Sequence, residues 1–308
     1  AACRSHRVIA VGVDAGGSHT VAVAMRDGEL LRSATGPAAN LVIAGIDRAA
    51  SAIGDAIAAA TELQRPDAVV VGVAGAGTES VKSELLAVLT ARFPQTRIEV
   101  TDDAHIALRA AVPAGDAIAL IAGTGSIAYA EIGANAFRAG GFGYLVGDEG
   151  SGFMIGAAAV RLALKAAEGR APSDALTQAV LARIGASHPR DAVALLYAAD
   201  TPVANVASFA AVVLESAAAG ERSAVKIVQT AALDLFDLVR SICRIASVGS
   251  GKETPLALCG GLLSENSMLT YLLETRVSNE LPNLAIVKNS AAPHFGALAQ
   301  ARALAGDA

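Results

Sequence analysis

A Gly-Thr-Gly-Ser turn at residues 123–126 separates two short apolar runs, 118–122 and 127–130. The lengths of these runs predict two strands, and the glycines predict a tight turn between them. Glycine lets the backbone approach an anion closely through its N–H groups, and neighbouring hydroxyls can donate to phosphate oxygens. The turn is therefore a candidate phosphate-binding loop, although an ordinary β-hairpin has the same pattern.

The chain contains this arrangement twice. An apolar run at residues 8–13 leads into Asp14-Ala-Gly-Gly-Ser18, and another apolar run follows at 21–25. In both places a second turn and a third strand come next, and the later order of strands and helices also repeats. Such an internal repeat indicates two related halves, each with its own candidate phosphate loop.

Two carboxylates follow a predicted strand at residues 97–100. Asp102 and Asp103 stand where this strand ends and a helix begins. In an open α/β sheet the carboxyl ends of the strands hold ligands. One of the two acids can cap the helix. We assign that role to Asp102, so Asp103 is the candidate general base.

A second acidic pair, Asp148 and Glu149, lies in a glycine-rich segment at residues 140–152. So many glycines are incompatible with a regular helix or strand and predict a loop with unusual backbone angles. Ser151 is predicted to cap the helix that follows. The acids could bind a polar ligand together with the loop backbone, or only complement the helix dipole, and their spacing leaves both interpretations open.

Two further positions carry polar or exposed backbone groups. Asn40 ends a Gly-Pro-Ala-Ala-Asn loop, where the residues alone favour a loop cap. Gly260 and Gly261 end a predicted core strand at 255–259. Exposed glycine backbone there could lie against a flat ring such as adenine.

The elements that position these residues have the same order in each half: two strands around a turn, a third strand, and then helices alternating with strands. This order predicts an α/β fold with two domains, residues 1–114 and 115–308. An almost entirely helical segment between Ser151 and Gly249 makes the second half larger.

The composition limits the classes of function. A length of 308 residues with 53% hydrophobic content suits two domains with large cores. A net charge of -5 argues against a nucleic-acid or anionic membrane partner. Cys3, Cys243 and Cys259 are too far apart for a zinc motif or a disulfide framework. No apolar run approaches the roughly 18 residues of a membrane span, and no signal-peptide pattern is present, so we expect a cytoplasmic protein.

Short segments rich in glycine or acidic residues occur in a definite order along nearly the whole chain. They are Asp14-Ala-Gly-Gly-Ser-His-Thr20, Gly36-Pro-Ala-Ala-Asn40, Gly72-Val-Ala-Gly-Ala-Gly77, Thr101-Asp-Asp-Ala104, Ala122-Gly-Thr-Gly-Ser126, Gly140-Gly-Phe-Gly143, Gly147-Asp-Glu-Gly-Ser151 and Ala292-Pro-His-Phe-Gly-Ala297. This set resembles the N-acetylglucosamine kinases of the BadF/BadG/BcrA/BcrD ATPase family. The resemblance implies a two-domain actin-like, ribonuclease H-like ATPase fold with internal duplication and an interdomain active-site cleft.

The resemblance also implies an activity and the residues that serve it. The activity is ATP-dependent phosphorylation of N-acetyl-D-glucosamine to N-acetyl-D-glucosamine 6-phosphate, with Mg²⁺ as the metal. Asp103 would be the catalytic base that accepts the proton of the sugar 6-hydroxyl, and Asp14 would hold Mg²⁺ through water. The implied ligand contacts are Gly16, Gly17, Ser18, Gly123, Thr124, Gly125 and Ser126 for the ATP phosphates, Gly260 and Gly261 for adenosine, and Asn40, Asp103, Gly141, Phe142, Gly143 and Asp148 for the sugar. We also expect a homodimer.

Two departures leave the choice of amino sugar open. His19 stands where a lysine is common in the family, and Phe142 stands where a tryptophan is common, so glucosamine or another amino sugar is an alternative substrate. A second hypothesis is an ATPase activator of a dehydratase or reductase, which needs cysteines for an iron–sulfur cluster. Cys259 instead lies in an apolar strand, which is typical of a buried thiol. A third, a sugar-sensing regulator, would carry an added DNA-binding module, for which neither end of the sequence has residues.

Overall fold

Short apolar runs form strands and longer amphipathic segments form helices in the computed structural model, which describes residues 8–186, 188–197, 202–249, 251–263, 266–288 and 291–306. The strands are β1 (Ile9–Ala15), β2 (Thr20–Arg26), β3 (Glu29–Gly36), β4 (Ala68–Val73), β5 (Arg97–Asp102), β6 (Ala117–Ala122), β7 (Ser126–Ile132), β8 (Asn135–Gly140), β9 (Thr254–Cys259) and β10 (Leu284–Lys288). The helices are α1 (Leu41–Ala44), α2 (Ile46–Ala60), α3 (Glu79–Arg92), α4 (Asp103–Ala111), α5 (Gly152–Ala167), α6 (Ala175–Ile184), α7 (Asp191–Tyr197), α8 (Pro202–Ala207), α9 (Phe209–Ala218), α10 (Arg222–Ile245), α11 (Met268–Glu280) and α12 (Pro293–Ala305).

Two compact units divide the chain: residues 1–114 with 290–308, and residues 115–289. The first contains a five-stranded sheet with the order β3-β2-β1-β4-β5, and the second contains one with the order β8-β7-β6-β9-β10. In each sheet the first three strands are antiparallel and the last two join in parallel. The two sheets therefore share one topology, which confirms the internal duplication and the ribonuclease H-like fold class.

Helices cover both faces of the first sheet because alternate residues of a strand point to opposite sides. Along β1, Val11 and Val13 pack with Ile53 of α2 in one buried cluster. On the other face, Ala10 packs with Leu298 of α12 in a second cluster. Both faces of β1 are thus buried, so its residues can meet a ligand at the ends of the strand and not along its faces.

The last helix, α12, belongs to the first unit, whereas the sequence pattern placed it with the second domain, residues 115–308. Two glycines allow it to pack closely there. A Cβ atom on Gly12 would lie 2.2 Å from the backbone nitrogen of Leu298, and one on Gly296 would lie 2.1 Å from the carbonyl oxygen of Ile106. The repeat predicts this helix but not its packing partner, because the order of elements carries no information about tertiary contacts.

Helices α5 to α10 lie between β8 and β9 in the second unit, as the sequence predicts for the described residues. The last of them has a buried face: Val228, Leu235 and Ile242 of α10 join one cluster with Ile118 and Leu120 of β6. This segment supplies the core that supports β6, the strand that leads into the second glycine turn.

Two sequence-based expectations concern membrane spans and cysteines. No single helix in the described ranges has the length and apolar composition of a membrane span, and α7 meets that criterion only as a bent pair with the 202–218 segment, at 115°. Cys243 and Cys259 are buried, and burial raises the pKa of the Cys243 thiol to about 11. Cys3 lies outside the described residues.

Candidate active site

The first glycine loop connects β1 to β2 through a tight turn. The N–H of Gly16 donates to the carbonyl oxygen of His19 at 3.0 Å, and the carbonyl oxygen of Gly16 accepts from the N–H of Ala39 at 3.1 Å. Gly17 and Ser18, at the tip, are exposed. The loop therefore holds its own shape and presents backbone at its tip, as a phosphate-binding loop requires.

Asn40 caps the short helix α1, where the residues alone favour a loop cap. Its Oδ1 accepts from the N–H of Val42 at 2.9 Å at the start of α1. A Cβ atom on Gly17 would lie 3.9 Å from the Asn40 Nδ2, so the amide nitrogen faces the first glycine loop. The cap thus orients the amide donor toward the loop, and the implied sugar contact of Asn40 stays a prediction.

Asp14 and Asp103 form a carboxylate pair at the carboxyl edge of the first sheet. Asp14 lies at the end of β1 and Asp103 is the first residue of α4. Burial, and then the negative charge of Asp103, raise the pKa of the Asp14 carboxyl to about 7. A nearby cation would favour the charged form of both groups.

This pair fits a hard divalent cation. Mg²⁺ is usually bound by one or two carboxylates and completes its shell with waters and substrate phosphates. Within the described ranges, no group of three or more His, Cys, Asp or Glu residues could hold a metal ion. Asp14 and Asp103 could therefore hold Mg²⁺ only with such additional oxygen ligands, and the predicted contact of Asp14 through water stays a prediction.

The predicted cap by Asp102 is wrong. Asp102 occupies the N-cap position of α4, but its side chain makes no cap hydrogen bond. Its carboxylate instead lies 3.1 Å from the Nζ of Lys82 on α3. Asp103 Oδ1 accepts from the N–H of Ala104 at 2.9 Å. The ammonium group on the neighbouring helix competes successfully with the backbone N–H groups for the Asp102 carboxylate.

The second glycine loop, residues 123–126, is bound to the start of α5. The N–H of Gly152 donates to the carbonyl oxygen of Gly123 at 2.8 Å, and the N–H of Phe153 donates to that of Thr124 at 3.1 Å. The Ser126 hydroxyl is buried and donates to the carbonyl oxygen of Glu149 at 2.7 Å. Ser126 thus holds the loop in place, while Thr124 is exposed and can present its hydroxyl to a ligand.

Asp148 links the second glycine loop to the glycine-rich segment that follows β8. Its φ of 59° lies in the left-handed region, which is uncommon for a residue other than glycine. Burial raises the pKa of its carboxyl, and the N–H groups of Ser126 and Gly143, which donate to the carboxylate, oppose that rise. Ser151 caps α5 as predicted, accepting from the N–H of Met154. Asp148 is therefore a connecting group between two loops and not only a complement to the helix dipole.

The glycine-rich segment exposes several apolar side chains, and the sequence pattern predicts a ligand contact for only one of them, Phe142. Phe142 is exposed, and Leu145 and Val146 beside it are also exposed. The Tyr144 ring lies 5.0 Å from that of Phe153. The signal that could have pointed to Leu145 and Val146 is their position in a loop where most neighbours are glycine, since nothing in such a loop buries them.

Gly260 brings the predicted adenosine position next to the second glycine loop. It has a φ of 90°, and a Cβ atom there would lie 2.3 Å from the carbonyl oxygen of Ala122. The N–H of Leu262 donates to that same oxygen at 3.1 Å. Ala122 ends β6 immediately before Gly123, so the exposed backbone of Gly260 and Gly261 lies beside the loop.

The predicted site residues fall into two groups, one in each unit, and each group follows the carboxyl ends of strands of its own sheet. The first group contains Asp14, Gly16, Gly17, Ser18, Asn40 and Asp103. The second contains Gly123, Thr124, Gly125, Ser126, Gly141, Phe142, Gly143, Asp148, Gly260 and Gly261. Equivalent edges of two duplicated sheets carrying equivalent glycine loops are the arrangement of the two-domain ribonuclease H-like fold.

The chain belongs to the BadF/BadG/BcrA/BcrD ATPase family, whose family model matches residues 11–301. It is 27% identical over 307 residues to the N-acetyl-D-glucosamine kinase of Dictyostelium discoideum, covering 94% of this chain and 96% of that one. It is 29% identical over 242 residues to the N-acetylmuramic acid/N-acetylglucosamine kinase of Clostridium acetobutylicum, covering 78% of each. A crystal structure from Chromobacterium violaceum, of a protein proposed to be an N-acetylglucosamine kinase, is similar with a TM-score of 0.75 and 28% identity, over 96% of this chain and 99% of that one. These comparisons confirm the family that the sequence segments indicate.

Proposed function

We propose that this protein is an ATP-dependent amino-sugar kinase that phosphorylates the 6-hydroxyl of N-acetyl-D-glucosamine. The observation that carries the proposal is the pair of glycine loops at equivalent sheet edges, with the Asp103 carboxylate at the edge of the first. The names of the similar proteins from Dictyostelium discoideum and Clostridium acetobutylicum support the substrate class. Glucosamine and other amino sugars are the alternatives that the experiment below tests.

In this proposal the two loops bind the ATP phosphates through backbone N–H groups. Phosphoryl transfer depends mainly on positioning and on stabilising negative charge, which such loops provide. Gly17 and Ser18 contact the phosphates in the first unit, and Thr124 and Gly125 do so in the second. Gly16, Gly123 and Ser126, whose N–H groups bond to His19, Gly125 and Asp148, give the two loops their shape. Gly260 and Gly261 contact adenosine. Mg²⁺, when bound near Asp14, would neutralise charge on the transferred group.

Asp103 acts as the general base for the sugar hydroxyl. It is half-buried at the start of α4, and its Oδ1 accepts from the N–H of Ala104 at 2.9 Å. A charged Asp103 accepts the proton of the 6-hydroxyl as that oxygen attacks the γ-phosphorus. Asn40, Asp148, Phe142 and the backbone of Gly141 and Gly143 hold the sugar. A homodimeric state, a cytoplasmic location and Mg²⁺ as the metal stay predictions.

The activator hypothesis has no observation in its favour in the part of the chain that the structure describes. Cys243 lies in α10 and Cys259 in β9, and both are buried. Because burial raises the pKa of the Cys243 thiol, this residue is poorly suited to act as a thiolate ligand.

The deciding experiment measures ADP release from Mg-ATP with no sugar, N-acetylglucosamine, glucosamine, N-acetylmannosamine and N-acetylmuramic acid. Stimulation by N-acetylglucosamine above the others supports the proposal. Stimulation by a different amino sugar keeps the kinase and replaces the substrate. Hydrolysis that is equal with and without every sugar would refute the kinase.

Asp103→Asn tests the proposed base while preserving the size of the side chain. We expect sugar-dependent kcat to fall by about 10² to 10⁴, the usual contribution of a general base, with unchanged ATP binding and melting temperature. Turnover equal to that of the wild type would show that another group accepts the proton.

Asp148→Asn tests the sugar contact, with Glu149→Gln as the matched control on the exposed neighbour. The amide keeps one acceptor oxygen but loses the charge, so we expect the KM for the sugar to rise by about tenfold to a hundredfold. Glu149→Gln should leave that KM unchanged. Equal KM values in both variants would reduce Asp148 to a purely structural group.

A further inference from the structure

We propose that Lys82 is a positioning residue for Asp103, because it holds the neighbouring Asp102 carboxylate away from the start of α4. The proposal rests on the role of Asp103 as base that is proposed above. It assigns a part in the site to a side chain on α3, a helix that carries none of the predicted contacts.

Lys82 lies between two carboxylates of unequal exposure. Its Nζ is 3.1 Å from Asp102 Oδ2 and 3.0 Å from Glu79 Oε1. The side chains of Lys82 and Asp102 are 19% and 12% exposed, whereas that of Glu79 is 88% exposed. An exposed ion pair is screened by water and contributes little, and a buried pair is screened much less. The bond to Asp102 is therefore the one that matters for structure.

The Asp102 carboxylate has an obvious competing partner. The first four N–H groups of a helix have no partner within the helix, and aspartate at the N-cap usually accepts from one of them. Asp102 has an N-cap backbone conformation, φ -77° and ψ 147°, yet its side chain makes no such bond. Lys82 thus keeps the carboxylate off the N–H groups that it would otherwise reach.

This arrangement gives Asp103 the position facing the first N–H groups of α4. Asp103 Oδ1 accepts from the N–H of Ala104 at 2.9 Å. If Asp102 turned onto the same turn of the helix, it would compete for this donor and place a second negative charge beside Asp103. That charge would repel both the base and the phosphates that approach it. Lys82 removes the competition and balances the charge.

The test compares Lys82→Met with the conservative Lys82→Arg and with Lys82→Met/Asp102→Ala. We expect Lys82→Met to lower sugar-dependent kcat by about tenfold to a hundredfold, the effect of a misplaced catalytic group, with both KM values within about twofold of wild type. Lys82→Arg should retain most of the activity. The double variant should recover most of the loss, since it also removes the competing carboxylate.

Arg92→Met is the matched control on the same helix. Arg92 pairs with Asp55 at 2.6 Å at the other end of α3, so its loss removes an ion pair without touching α4. It should leave kcat unchanged even if the melting temperature falls. A fall in kcat for Arg92→Met as large as that for Lys82→Met would show that any loosening of α3 suffices, and would overturn the proposal.

A crystal structure of Lys82→Met separates this inference from the proposed function. We expect the Asp102 carboxylate to accept from the N–H of Ala104 or His105 in that variant. An Asp102 side chain that stays where it is would overturn the proposal whatever the activity. Wild-type kcat in Lys82→Met, or no recovery in the double variant, would also overturn it. Wild-type protein without sugar-dependent turnover would instead refute the kinase, and the position of Asp102 would still decide the part played by Lys82.

Discussion

Replacing Gly12 by alanine would place a methyl group where α12 crosses β1. The added Cβ would lie 2.2 Å from the backbone nitrogen of Leu298, 2.4 Å from the carbonyl oxygen of His294 and 2.6 Å from the Leu298 Cα. All three are backbone atoms, so no side-chain rotation can relieve the clash. Non-bonded heavy atoms approach favourably only to about 3.5 Å, so the helix must move outward by about 1 Å.

This displacement would weaken the packing of one face of the first sheet. Leu298 and Ala301 of α12 lie in a buried cluster with Ala10, Val23 and Val70. Overpacking a well-packed core costs about 1 to 3 kcal/mol, and we expect the upper end because backbone meets backbone. A loss of about 3 kcal/mol is a large fraction of the free energy of unfolding of a native protein, which is roughly 5 to 15 kcal/mol.

Urea denaturation followed by far-ultraviolet circular dichroism measures the change in the free energy of unfolding, since the chain contains no tryptophan for fluorescence. Gly77→Ala is the control in the same unit, because a Cβ atom there would meet nothing within 4 Å. We expect that variant to stay within about 0.5 kcal/mol of wild type. If the free energy of unfolding of Gly12→Ala were also within about 0.5 kcal/mol of wild type, α12 could not pack against β1 as closely as described.

Two further predictions concern the site. In EDTA, the folded-state pKa of about 7 means that Asp14 binds a proton more tightly in the folded than in the unfolded chain between pH 3.8 and 7. The free energy of unfolding of wild type should therefore fall relative to that of Asp14→Asn as pH rises through this window, by at most about 4 kcal/mol. If urea denaturation gave the same pH dependence of this free energy for both proteins, the prediction would be wrong. In Gly125→Ala, the new Cβ would lie 2.7 Å from Asp148 Oδ2 and displace a carboxylate that accepts two backbone N–H groups. We expect the KM values for sugar and ATP to rise by about tenfold in this variant and to stay unchanged in the control Gly251→Ala. Unchanged KM values in Gly125→Ala would show that the position of the Asp148 carboxylate does not affect ligand binding.

The sequence was sufficient for features that depend on local pattern. Apolar runs around glycine turns predicted β1, β2, β6 and β7, and their repetition predicted two sheets of one topology. The same local reasoning predicted the cap at Ser151, since a cap needs only a hydroxyl at the right place in the chain.

Features that depend on tertiary contact were missed or misassigned. The partner of Asp102 is Lys82, twenty residues earlier on another helix, and no local pattern distinguishes that lysine from an exposed one. The packing of α12 depends on Gly12 and Gly296, which look like ordinary glycines until a helix is seen against them. The sequence pattern favours phosphate as the partner of the Ser126 hydroxyl. Its actual bond to Glu149 joins two loops that only the fold brings together, so no local pattern could predict it.

The first unit is assembled from two stretches of chain that the whole second unit separates. During synthesis, β1 and β4 leave the ribosome long before α12 does. Ile106 of α4 covers part of the sheet face that carries Ala10 and Val70, and the part that α12 covers stays exposed until that helix emerges. The second unit is continuous and can complete its core as soon as its own last residue emerges. Nascent domains usually fold from the N-terminus onward. Here the first unit, which begins to emerge first, would complete its fold after the second unit. Truncation just before α12 would therefore leave a finished second unit joined to a sheet with part of one apolar face exposed, the kind of surface that chaperones bind.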